Sequence, residues 1–425
     1  MRMSKAMRLS GWLLIPLAGV GAGWADEFVV NEFTFHNQNR PSISENSSAG
    51  FVVAWHSYYA PTSTYRILAR RFNRTGGALG LEFRVNLFLS GGIQKWPTIS
   101  QDSSGAFVVA WEVSSVDGSG YGVFARRFDS SGSALGAEFQ VNQHTTGNQR
   151  FPAVSKDSSG GFVVTWQSYG QDGFAFGVFG RRFDSSGNAL GAEFQVNQFT
   201  TSNQDYPAIS HNSSDGFVVT WQSNGQDGSG YGILGRRFDS SGNALDSEFL
   251  VNQVTINGQL DSAISHSSSG GFVVVWEDFT DTSNFGVFGL RFDSSGGVLG
   301  QEFRVNQVFV NAQRHPTISH NSSGGFVVAW QSFAQDGHNY GVFARRFDSS
   351  GSALGGDFQV NQFAMYNQRY ATISHESSGA FMVAWESFGQ DGSGYGILGQ
   401  VFPVPTVTTG AASGGASLVR RYQGE

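Results

Sequence analysis

Two residues after a recurring glutamine, the chain places seven unlike side chains at one equivalent point in seven copies of a single unit: Arg40, Trp96, Phe151, Tyr206, Asp261, His315 and Tyr370. Four aromatic rings and a histidine at such a point can act as stacking platforms for sugar rings or other flat ligands; their other use is packing against the proline that usually follows. The glutamines themselves (Gln38, Gln94, Gln149, Gln204, Gln259, Gln313 and Gln368) offer an amide for a ligand or for locking adjacent loops through backbone hydrogen bonds. Loop aspartates recur at Asp117, Asp172, Asp227, Asp281, Asp336 and Asp391, and a polar residue follows each repeat tryptophan: His56, Glu112, Gln167, Gln222, Glu277, Gln331 and Glu386. The candidate ligand-binding set is Trp96, Phe151, Tyr206, His315 and Tyr370 with Gln94, Gln149, Gln204, Gln313, Gln368, Asp172, Asp227, Asp336 and Asp391.

Other chemistry is poorly supplied. One aspartate beside Gly and Ser falls short of the six to eight oxygens calcium takes, and reads as a turn former. His211, His266, His320 and His375 follow the first strand in four successive units. Equivalent positions on neighbouring units are too far apart to share one ion, so they are expected to be solvated turn residues, and no metal or cofactor is expected. No nucleophile elbow or phosphate loop occurs. Cysteine is absent, which removes disulfides and thiolate chemistry.

The element that must position these residues is Phe-Val-Val-x-Trp, ending at Trp55, Trp111, Trp166, Trp221, Trp276 and Trp330 and, as Phe-Met-Val-Ala-Trp, at Trp385. Steps of 54 to 56 residues make it one supersecondary unit repeated seven times. In the third copy, β-type runs occupy 152–155, 162–166, 177–183 and 193–197, with Gly, Ser, Asn and Asp between them. That spacing predicts a four-stranded antiparallel sheet. Its tryptophan run is apolar on both faces, as a sheet packed between two neighbours requires. The predicted fold is all-β, a seven-bladed β-propeller. The opening Glu27-Phe-Val-Val-Asn31 is a lone fourth strand, and the seventh copy lacks one, so the N-terminal strand is expected to complete the last blade and close the ring.

Strand alternation puts the two long, variable connections on one side of the disc, the candidate working face, and the short Asp-Ser-Ser-Gly turns (Asp129, Asp184, Asp239, Asp293, Asp348) on the other. Arg-Arg-Phe and the Glu of Glu-Phe-x-Val-Asn lie on paired strands, which predicts cross-strand ion pairs such as Arg182 with Glu193.

Residues 1–25 read as a secretory signal, with Arg2, Lys5 and Arg8 ahead of an apolar run and small residues at Gly23 and Ala25. Cleavage after Ala25 takes the formal charge from −7 to −10 and leaves no electrostatic case for nucleic acid or an anionic membrane. No later segment is apolar enough over sufficient length to span a bilayer as a helix. The propeller is assigned to 26–402, and 403–425 reads as a flexible tail.

The tandem Gly-Phe-Val-Val-x-Trp, Gln-Asp-Gly-Ser-Gly-Tyr-Gly and Arg-Phe-Asp-x-x-Gly segments, over about residues 27–402, resemble those of bacterial secreted repeat proteins. The resemblance implies an extracytoplasmic propeller; strand order is similar to that of NHL-type propellers, with propeller lectins as the functional analogy. Function is therefore expected to be non-enzymatic recognition of glycan or surface polymer at several quasi-equivalent sites on the long-loop face. A protein-interaction or adhesion scaffold and a polysaccharide-cleaving enzyme remain open; the enzyme predicts a cluster of unlike acids, or a histidine with a strongly shifted pKa, at the channel mouth.

Overall fold

The computed structural model describes residues 26–46, 50–59, 64–87, 92–279 and 284–404. The signal segment, most of the tail and Asp281 lie outside them. The described strands form seven four-stranded antiparallel sheets. In the third, β10 (Gln149–Lys156), β11 (Phe162–Tyr169), β12 (Phe176–Phe183) and β13 (Phe194–Gln195) run in order from the channel outward. The inner strand is longer than predicted and the outer one shorter. The rim strand pairs along one edge only, and its ladder reaches as far as the Val196 N–H on the Val178 carbonyl at 2.8 Å.

The ring closes as expected. β1 (Phe28–Val29) pairs with β28 (Tyr395–Phe402), placing Phe28 opposite Gly399 and Val29 opposite Leu398. Packing closes there too: Val30, Met382 and Ile397 of the last blade share one buried cluster with Phe51, Val53 and Trp55 of the first. Each of the other blade junctions has its own cluster; Trp221, for example, sits with Val219 and Phe238 against Val163, Val178 and Val196 of the preceding blade. All seven repeat tryptophans are fully buried. Within a blade, the phenylalanine that opens the second strand stacks on the one that ends the third, as for Phe162 and Phe183 at 4.9 Å.

Polar side chains tie the blades together. Adjacent residues of a strand point to opposite faces, so the paired arginines reach in opposite directions. Arg181 donates to the Val141 carbonyl of the preceding blade at 3.0 Å, and Arg182 to the Ser240 carbonyl of the following blade at 2.6 Å. The predicted Arg182–Glu193 pair is therefore not formed. Glu193 instead accepts the Gln143 and His144 N–H groups of the previous blade, at 2.8 and 3.1 Å. Carbonyls and amides across the junction outcompete the in-blade partner because both ends would otherwise be left without one.

The short turns behave as their composition predicts. Asp129 accepts the Ser131 and Ser133 N–H groups, each at 2.9 Å, while Gly132 supplies a φ of 85°. The histidines correct the sequence reading. His211, His266, His320 and His375 pack on Phe217, Phe272, Phe326 and Phe381 at 4.9–5.3 Å, and burial lowers their pKa values to about 4, 3, 4 and 3. The aromatic ring that opens the next strand covers them, leaving His375 buried and the other three part-buried despite the adjacent turn. Among the described residues, no helix is long and apolar enough to cross a membrane.

Candidate ligand site at the channel mouth

The inner strand of every blade carries a register shift at the same place, between Arg150 and Ala153 in the third and between Asp205 and Ala208 in the fourth. The extra residue in the bulge is the variable one. All seven adopt left-handed backbone, with φ of 54° at Arg40, 56° at Trp96, 50° at Phe151, 52° at Tyr206, 48° at Asp261, 51° at His315 and 51° at Tyr370. Residues other than glycine resist this region, at a cost of order 1–3 kcal/mol each. The bulge turns each side chain out of the sheet and into the mouth of the channel on the long-loop side.

What holds the bulge is the residue that follows the tryptophan in the preceding blade. The Tyr206 N–H donates to Gln167 Oε1 at 3.1 Å, that of Asp261 to Gln222 Oε1 at 3.2 Å, and that of Tyr370 to Gln331 Oε1 at 3.1 Å. Where the clasp is a carboxylate, an arginine joins it. Glu277 takes the His315 N–H at 3.1 Å and both Arg314 donors at 2.7 and 3.1 Å. Glu112 does the same with Phe151 and Arg150. His56 is the exception; among the described residues its Nδ1 has no partner, and burial lowers its pKa to about 3. Expected beside a ligand, all seven are buried, and the six other than His56 clasp the bulge of the next blade.

The candidate glutamines and loop aspartates lie one step further back. Gln149, Gln204, Gln313 and Gln368 donate to the carbonyls of Thr146, Thr201, Val310 and Met365, anchoring the loop before each inner strand. Gln94 and Gln313 also accept the indole N–H of Trp111 and Trp330, at 3.1 and 3.2 Å. Asp172, Asp227, Asp336 and Asp391 accept from the asparagine that ends the outer strand run (Asn197, Asn252, Asn361 and Asn31) at 2.9–3.5 Å. That asparagine is the hub of each blade: Asn197 also accepts the Val178 N–H at 2.7 Å and reaches Gln204 at 3.4 Å. Its recurrence in Val-Asn is the signal in the sequence, although strand periodicity alone marks it only as the end of a run.

The aromatic set does converge. Arg40, Trp96, Phe151, Tyr206, Asp261, His315 and Tyr370 line one cavity of about 320 Å³, with the residues that follow them as its wall. Ring neighbours touch. Trp96 meets Phe151 edge-on at 4.8 Å, Phe151 lies 4.5 Å from Tyr206, and His315 lies 4.9 Å from Tyr370. The Arg40 guanidinium sits between two rings, 3.9 Å from the centre of Trp96 and 3.2 Å from that of Tyr370. Among the described residues it donates to no acceptor, and burial lowers its pKa. Further around the ring, His315 Nδ1 and Asp261 Oδ2 are 2.6 Å apart. Burial pushes the Asp261 carboxyl up, but the His315 hydrogen bond and charge outweigh it and hold the group below its usual value. A second cavity of about 330 Å³ opens from the same ring toward Leu260 and Arg314.

These distances make one composite site in place of seven equivalent ones: an aromatic arc from Trp96 to Tyr206, a cation clasped between rings, and an acid–imidazole pair. Asp261, Glu277 and His315 bring ligating atoms within 4.8 Å of one another. They make a poor metal site, because the Glu277 oxygens are already taken by Arg314 and the His315 N–H.

The fold and the ring together define a seven-bladed β-propeller with an asymmetric central mouth. No family model matches the chain, and no curated protein does either. Solved structures do. The chain is similar to a protein of unknown function from Dyadobacter fermentans (TM-score 0.52, 8% identity, 89% of this chain and 98% of that one). It is also similar to a polysaccharide lyase, an ulvan lyase bound to -[GlcA(1-4)Rha3S]- (TM-score 0.55, 11% identity, 90% and 96%). A fungal alcohol oxidase in complex with copper matches as well (TM-score 0.52, 11% identity, 90% and 76%). At these identities the likeness is one of fold.

Proposed function

We propose that the protein acts outside the cytoplasm and binds an acidic polysaccharide at its channel mouth. The observation that carries this is the Arg40 guanidinium, held between Trp96 and Tyr370 with its N–H groups unengaged by the described residues. A planar, permanently charged fork matches a carboxylate or sulfate, and flanking rings stack on the apolar faces of sugars. Backbone strain supports the same reading. Glycine would relieve the left-handed φ at each bulge, yet none of the seven positions uses it, so the side chains are kept at a cost. The cavity lies at the small end of the roughly 300–1,000 Å³ range of ligand pockets, suited to a short stretch of a chain entering end-on or as a loop. A structural neighbour that binds a glucuronate-containing polymer agrees with it. Titration of the mature chain against polyuronate, sulfated and neutral oligosaccharides tests the proposal; equal or absent binding across all three removes it.

A second reading, a protein-interaction scaffold, is favoured by exposed apolar side chains on the loops around the mouth, among them Phe35, Phe174, Ile256, Val310 and Tyr366. It predicts a stoichiometric protein partner whose capture survives Arg40→Ala and fails with Phe174→Ser and Ile256→Ser.

A further inference from the structure

A site that only held an anionic sugar would have no need of an oriented imidazole. His315 is fixed at two points: its Nδ1 lies 2.6 Å from Asp261 Oδ2, and its backbone N–H donates to Glu277 at 3.1 Å. With Nδ1–H donating to the carboxylate, the lone pair is on Nε2. The side chain keeps 27% of its surface exposed and lines the cavity. Tyr370 comes next around the ring, 4.9 Å from the imidazole centre, and Arg40 after that, 3.2 Å from the phenol ring. A base, a phenol and a cation thus occupy consecutive places at one mouth.

Resting on the acidic-polysaccharide reading, we propose that this mouth cleaves a uronate-containing chain by β-elimination. Arg40 binds the uronate carboxylate and withdraws charge from it, which acidifies the hydrogen on the adjacent ring carbon. His315 Nε2 takes that proton. The C–H electron pair becomes a carbon–carbon double bond, the neighbouring bond to the glycosidic oxygen breaks, and its electron pair leaves on that oxygen. Tyr370 donates its hydroxyl proton to the departing oxygen. The imidazolium then returns a proton to the phenolate, restoring both groups with no outside reactant. Asp261 is a positioning residue, holding the imidazole and stabilising its charged form.

Hydrolysis by paired carboxylates fits less well, since it needs two acids facing the sugar, roughly 5 to 9.5 Å apart. Asp261 is committed to His315. Glu277 is fully buried and bound to Arg314. Asp205 is buried beside Tyr206 and lines neither cavity of the mouth.

The test incubates the mature chain with polygalacturonate, polyglucuronate and polymannuronate, reading ultraviolet absorbance of the new conjugated alkene together with reducing ends; binding is titrated separately. Alkene should appear with at least one polymer. Tyr370→Phe and His315→Gln should lower its rate about a hundredfold or more while the polymer still binds, and Asp261→Asn should shift the pH–rate profile. Binding without alkene from any of the three overturns the elimination and leaves the binding proposal standing. Reducing ends without alkene overturn it in favour of hydrolysis. No binding at all removes both.

Discussion

The guanidinium of Arg40 lies 3.2 Å from the centre of the Tyr370 ring, across the junction where the first blade meets the last. Residues 330 positions apart in the chain become neighbours only because β1 completes the seventh sheet. The cation is preorganised by its rings, so replacing it removes a charge-assisted contact without unmaking a blade. Arg40→Ala is expected to weaken acidic-glycan binding roughly ten- to a hundredfold, matching the loss of hydrogen bonds to a charged group, with neutral sugars unaffected. Calorimetric titration at two salt concentrations measures both the loss and its electrostatic origin.

Trp221 is completely buried between the third and fourth blades. Truncating it to alanine leaves a cavity that two rigid sheets cannot close. The expected cost is about 3–5 kcal/mol, read from the shift in the urea midpoint. A melt unmoved by Trp221→Ala would contradict the buried assignment.

Asn197 serves Val178, Asp172, Phe199 and Gln204 at once. Alanine there strands a buried N–H and removes the anchor of the Asp172 loop. We expect a loss of about 1–3 kcal/mol, against a much smaller change for Asp129→Ala in an exposed turn. Chemical denaturation of the two variants side by side decides.

Burial lowers the His266 pKa from 6.5 to about 3, with the neighbouring charges of His320 and His211 adding to the shift. The unfolded chain therefore binds a proton that the folded one refuses between those two values. Stability rises with pH through that window, and is lost as pH falls from about 6.5 toward about 3. His266→Gln should flatten this acid limb whatever it does to stability at neutral pH. The slope of unfolding free energy against pH is the measurement.

Glu45 runs the opposite way. Burial and the nearby Glu376, opposed by Arg74, raise its pKa from 4.5 to about 8, so the folded state keeps a proton the unfolded chain has lost. Its contribution is full below about 4.5, declines as pH rises and is gone past about 8. Glu45→Gln, which keeps the neutral shape, should raise the melting temperature at neutral pH and leave it nearly unchanged in acid. A fall at neutral pH would overturn the assignment.

Repetition made much of the scaffold legible. Phe-Val-Val-x-Trp, the Asp-Ser-Ser-Gly turns and the orphan strand at residues 27–31 each carry a local pattern or a local deficit, and the structure agrees with all three. Local pattern fails where the deciding partner belongs to another blade. Strand pairing points Arg182 to Glu193, but its partners are Ser240 and Ser241 of the next blade. Gln167 and Glu277 resembled ligand groups because the backbone N–H groups they hold, at Tyr206 and His315, lie across a blade junction.

The blade, its count and its closure are written locally, because strand period, turn residues and apolar burial act over a few residues and recur seven times. The position where the copies differ is equally plain from comparing them. What that position does depends on contacts between blades. A bulge held from the preceding blade turns seven side chains inward, and ring closure brings Arg40 to Tyr370 and Asp261 to His315. Those contacts depend on the geometry of the whole ring, which no single repeat encodes.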